Sequence, residues 1–114
     1  MSHKALKWAL KRRVVPPHRA LLLIHLAGMS NDSGEVNASQ DRIAKASGVS
    51  RRAVIDHLNA LVDDGLVIRQ AHYRKNGRRA VNTYFLGYSN LFKYIQQHQK
   101  EVEAQELAEA NHAL

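Results

Sequence analysis

The chain has 114 residues, enough for one packed domain with short additions but hardly for two. Its 17 Lys and Arg against 10 Asp and Glu give a net charge of +7, and the absence of cysteine excludes disulfide scaffolding, thiol nucleophiles and thiolate zinc sites. No apolar run approaches the length of a bilayer span or a secretory core, since Leu21 to Leu26 is interrupted by His25, so a cytoplasmic protein is expected.

Lys4 to Arg13 reads as a short amphipathic helix, part of an N-terminal arm over residues 3–13. Leu6 and Leu10 are expected to face the body, with Trp8 as a further candidate, while Lys4, Lys7 and Lys11 face water. Pro16 and Pro17 cannot extend a helix but can start one. A central core helix is expected from about Pro17 to Met29, with Leu21, Leu22, Ile24 and Leu26 too apolar to leave exposed.

Asn31 to Gly34 make a turn, and Glu35 to Ala38 suit a very short strand. Ser39 is a suitable N-cap for the next helix, and Asp41 adds favourable charge to its first turn. Ile43 and Ala44 give that helix a small apolar surface. Gly48 supplies a sharp turn, with Val49 plugging the gap, and Ser50 caps a helix that opens with Arg51 and Arg52. Val54, Leu58 and Leu61 recur at helical spacing and face the core, which leaves Arg51, Arg52, Ala53, Asp56, His57 and Ala60 on the open side. Gly65 ends the helix.

Leu66 to Tyr73 and Ala80 to Leu86 are strand-like, joined by a basic loop of Arg74, Lys75, Asn76, Gly77, Arg78 and Arg79 with Asn-Gly at its tip. After Gly87 a helix is expected from about Asn90 to His98 and again from Glu101 to Ala110, giving a C-terminal helix over 90–110. Its apolar residues Leu91, Phe92, Tyr94, Ile95 and Val102 have two readings. They form a homodimer or partner-docking surface, or they close over the N-terminal helices and complete the core.

The order of helix, short strand, helix, turn, helix, hairpin makes a mainly α winged helix-turn-helix the most economical fold. One domain over 1–114 would hold a core at 17–87, with additional N- and C-terminal helices. Residues 1–90 hold 15 basic and 6 acidic side chains, whereas 91–114 hold 2 and 4, so the positive field belongs to the helix-turn-helix segment and favours a polyanionic partner. Double-stranded DNA fits, because a helix opening with two arginines suits the major groove. One arginine would hold phosphate while the other reads guanine. Asp56 either accepts from cytosine N4, orients Arg52 four residues before it, or is a solvated pair. His57 would meet phosphate or base, or simply occupy the surface. Arg74, Lys75, Arg78 and Arg79 suit phosphates or the minor groove, and Asn76 with Gly77 lets the backbone approach closely, so this loop should serve affinity and register rather than base identity.

The seven histidines are scattered without metal-ligand spacing, and no phosphate-cradling glycine loop is present, so no enzyme, metal or cofactor is expected.

The runs Ser39-Gln40-Asp41-Arg42-Ile43-Ala44 and Ser47-Gly48-Val49-Ser50-Arg51-Arg52-Ala53-Val54 resemble a known family. So do Leu58, Leu61, Gly65-Leu66-Val67, Gly77-Arg78-Arg79 and the strand of Tyr84. Across residues 17 to 87 the chain is similar to winged helix-turn-helix domains of phage and plasmid replication initiators and related mobile-element regulators. The resemblance implies DNA reading by Arg51, Arg52, Ala53, Asp56 and His57, with Ser39, Gln40 and Ser50 at the helix starts. Ala53 stands where a hydroxyl is common in such domains, and Asp56 where a basic or amide residue is common. Initiators of this kind carry further domains, so a compact regulator of transcription is expected. The alternatives are a plasmid or phage replication, transfer or maintenance factor, or a protein-interaction module with a regulatory or replication protein as partner.

Overall fold

The computed structural model describes residues 3–78, 80–89 and 92–112. Five helices, α1 (His3–Leu10), α2 (Pro17–Met29), α3 (Gln40–Ser47), α4 (Arg51–Asp63) and α5 (Phe92–His112), surround three short strands, β1 (Glu35–Asn37), β2 (Val67–Gln70) and β3 (Thr83–Leu86). The architecture is a winged helix-turn-helix with additional helices at both ends.

The helix-turn-helix forms as its local chemistry dictates. Ser39 Oγ accepts from Arg42 N at 3.1 Å, and Ser50 Oγ accepts from Ala53 N at 3.1 Å, so each hydroxyl satisfies an orphan amide at a helix start. Between them Gly48 adopts φ 74°, a left-handed conformation that penalises any residue with a β-carbon, and its N–H closes α3 on Ala44 O. On α4, Val54, Leu58 and Leu61 are fully buried and anchor the helix on the core.

Two expectations about the first helices are corrected. On α1 Leu6 and Trp8 pack against the core as expected, but the buried residues are Ala5 and Ala9, and Leu10 is 67% exposed. Small residues one turn apart let α1 approach α2 closely, and a leucine on that seam would hold the helices apart. On α2 the buried set is Leu22, Leu23, Leu26 and Ala27, while Leu21 is 57% exposed and Ile24 half-buried. Three consecutive leucines span 200° of a helix, so one of them must leave the core face.

The sheet is antiparallel in the order β1-β3-β2, with Val36 opposite Tyr84 and Ile68 opposite Phe85. All four residues of β3 are buried, because both faces of this central strand are covered. Tyr84 and Leu86 point into the main core with Val36, Val67 and the helices α1 to α4. Phe85 points the other way, into a second cluster with Ile68, Phe92 and Ile95 under α5. α5 is thus one continuous helix where two segments were expected. Phe92 and Ile95, expected at a dimer interface or over the N-terminal helices, instead close the outer face of the sheet. Tyr94 is 56% exposed and Val102 half-buried, and Leu91 lies outside the described residues.

The strands are shorter than expected, leaving residues 71–82 as an extended wing. Gln70 faces Thr83, but beyond that pair Ala80 N donates to His72 O and Arg74 N to Arg78 O, a slip of one residue that marks a bulge. At the tip Gly77 N donates to Arg74 O at 2.8 Å and only Gly77 has a positive φ, of 79°, among these turn residues. A two-residue type I′ turn needs positive φ at both central positions, so Asn76-Gly77 instead belongs to a three-residue loop with the glycine at its left-handed end.

Candidate nucleic-acid interface

With Val54, His57, Leu58 and Leu61 buried, the opposite stripe of α4 consists of Arg52, Asp56, Asn59 and Asp63, all exposed. Arg51 sits at the edge of that stripe next to α3, where its Nε lies 3.6 Å from Asp41 Oδ1. Arg52 Nε lies 3.7 Å from Asp56 Oδ2, one turn further along. Both arginines are thereby steered by a carboxylate, though exposed pairs of this length contribute at most about 1 kcal/mol. Asp56 and Arg52 thus form an exposed intrahelical pair, which fits both the reading in which Asp56 orients Arg52 and the reading of a solvated pair. Ala53 is half-buried on the far flank of the stripe.

His57 corrects the expectation of an open-face residue. It is buried, its Nδ1 accepts from Arg19 Nε at 3.3 Å, and the His18 ring meets it edge-on at 5.7 Å between centroids. Burial pushes its pKa below the ordinary histidine value, and the adjacent Arg19 and His18 push the same way against an opposing pull from Asp56. His57 therefore seats α4 on α2. The apolar spacing alone did not reveal this, because a histidine beside a core stripe suits either side.

The wing faces the start of α3. Ser39 and Gln40 at the start of α3 face Arg74, Val81, Asn82 and Tyr84 across a groove of about 370 Å³. Lys75, Asn76 and Arg78 are exposed at the tip, where Asn76 Oδ1 accepts from Arg78 N at 3.0 Å and fixes the turn. Arg79 lies outside the described residues.

α5 braces this wing through contacts that the sequence did not announce. Gln99 donates to Arg69 O, Glu103 Oε1 accepts from Ala71 N at 3.0 Å, and Glu106 Oε1 accepts from Tyr73 N at 3.2 Å. Residues 69, 71 and 73 present alternate backbone groups along the free edge of β2 and its continuation. Residues 99, 103 and 106 share one face of α5, so the helix covers an edge that would otherwise stand unpaired. Glu106 also meets His72 Nδ1 at 2.9 Å, and His72 Nε2 lies 2.7 Å from Thr83 Oγ1, whose hydroxyl donates to Asn37. One polar chain thus runs from α5 through the wing to β3 and β1.

Among the described residues no group of three or more His, Cys, Asp or Glu side chains is placed to hold a metal ion. No described helix is long and apolar enough to cross a membrane.

Residues 16–67 match the model of a family described as a helix-turn-helix domain, from the start of α2 through the first residue of β2. Searches among curated proteins and among solved structures returned no match. Over the matched stretch the chain is similar to helix-turn-helix domains, which supports DNA as its partner. The wing, α1 and α5 lie outside that match.

Proposed function

We propose that this protein binds double-stranded DNA sequence-specifically and regulates transcription, with α4 in the major groove and the wing on the flanking backbone. The observation that carries this reading is the exposed stripe opening with Arg52, beside Arg51 and within a helix-turn-helix whose wing carries Arg74, Lys75 and Arg78. Arg52 can bring a bidentate fork to guanine O6 and N7, and Asp56, 3.7 Å from its Nε, leaves both terminal nitrogens of the guanidinium available. The start of α3, with Ser39 and Gln40, offers backbone N–H groups for a phosphate, and Arg74 faces them across the groove. The wing cations add affinity that falls with salt, by a slope of about 0.9 per phosphate neutralised.

The same surface would serve a replication, transfer or maintenance factor of a plasmid or phage. Dimerisation through Phe92 and Ile95 is not part of this proposal, because both are spent under α5 within one chain. Binding-site selection on random duplex DNA, repeated across a salt series, tests the reading. A single enriched motif with salt-dependent affinity is expected, and salt-insensitive binding without any motif would sink it. Placing that motif at promoters rather than at replication or transfer origins separates regulation of transcription from the other roles.

A further inference from the structure

Asn59 stands on the outward stripe of α4, seven residues after Arg52 and two turns along the same face. Nothing in the fold needs an amide there, since the side chain is exposed and the residues beneath it fill the core without it. Yet it is held. Arg69 Nη1, from β2, donates to Asn59 Oδ1 at 2.9 Å, and the backbone of Arg69 is itself tied to α5 by Gln99.

That single bond fixes which end of the amide is oxygen. It uses one lone pair of Oδ1 and leaves the other, together with both Nδ2 hydrogens, without a protein partner among the described residues. An acceptor beside a donor complements the major-groove edge of adenine, where N6–H donates and N7 accepts. Guanine offers two acceptors along that edge and cytosine a donor alone, so neither matches both halves of the amide.

We propose that Asn59, oriented by Arg69, reads an adenine in the major groove, and this rests on the DNA-reading role of α4 given above. Seven residues of helix rise by about 10 Å, so the adenine should lie at a different column of the site from the position read by Arg52. Arg69 acts through Asn59 and is a positioning residue.

Binding-site selection with the full chain and three variants tests this. Asn59→Ala should abolish the adenine preference at one column of the motif, by about tenfold or more, and leave the other columns as they are. Asn59→Asp keeps a partner for Arg69 but can only accept, so the same column should turn from adenine towards cytosine. Arg69→Ala should blur that column while the Arg52 column persists. Melting curves verify that each variant is folded. If Asn59 matters only as a packing partner, melting temperature shifts and the motif of Asn59→Ala and Asn59→Asp stays that of the wild type, which overturns the proposal alone. A wild-type chain that selects no motif overturns the DNA reading and this inference with it.

Discussion

Arg52 on α4 and Arg74 in the wing present the same charge to solvent, but the backbone beneath each is held by a different force. α4 is fixed from below by apolar burial, with Val54, Leu58 and Leu61 fully enclosed, and only its side chains are steered by exposed ion pairs. The wing has little apolar surface of its own, with Val81 47% exposed. Polar side chains of α5 hold it instead, at Ala71, His72 and Tyr73. Hydrophobic burial is non-directional, whereas hydrogen bonds depend on distance and angle. The two elements can therefore be loosened separately.

The largest break in that comparison should come from beneath α4. Leu58→Ala removes a fully buried side chain at the centre of the main core, and a loss of about 2–5 kcal/mol in folding stability is expected. Urea denaturation measures it directly. A loss well under 1 kcal/mol would mean that α4 is not seated as described.

The next effect separates identity from affinity. Arg52→Ala should cost about 1–3 kcal/mol of discrimination at one base pair if its fork is bidentate to guanine. Arg78→Ala should weaken binding to all duplexes alike and reduce the salt slope by about 0.9 if it neutralises one phosphate. Equal and sequence-independent losses for both variants would show that Arg52 contacts only the backbone.

A smaller effect isolates the brace. Glu106→Ala strips an acceptor from Tyr73 N–H and His72, and because the carboxylate is 29% exposed, water replaces part of the loss. We expect about 1 kcal/mol in stability. Faster hydrogen exchange should be confined to Tyr73 and its wing neighbours, and DNA affinity should fall with no change in the selected motif. A changed motif would couple the wing to base reading and contradict the separation.

The parts legible in the sequence are those fixed by neighbours along the chain. The bounds of α2, the caps at Ser39 and Ser50, the turn at Gly48 and the inward face of α4 each follow from residues within about one turn of each other. Other features depend on partners far along the chain. Alanines rather than leucines form the α1 seam because α2 lies so close. Glu103 and Glu106, which no local pattern singles out, find backbone donors 32 and 33 residues away. Asn59 had no pattern to betray it, since only the fold brings Arg69 beside it. Asn76-Gly77 was a sound turn signal, but the bulge that sets its loop length arises from the pairing of two strands.

The smallest effect concerns His57, at the margin between the two faces of α4. In the folded chain it accepts from Arg19, lies near His18 and is flanked by Asp56, and burial together with Arg19 and His18 lowers its pKa from 6.5. The unfolded chain therefore takes up this proton more readily than the folded one, and stability rises with pH through the interval between the lowered value and 6.5. Above 6.5 the contribution is fully present, and it is lost as pH falls towards the folded value. His57→Gln keeps an acceptor for Arg19 but cannot titrate. The difference in melting temperature between wild type and His57→Gln should hence narrow or reverse sign as pH is lowered through this interval, to the disadvantage of the wild type. The loosening should appear as faster exchange in α4 and the first turn of α2, with the wing responding alike in both proteins. A pH-independent difference between the two chains would show that His57 does not couple the seat of α4 to protonation.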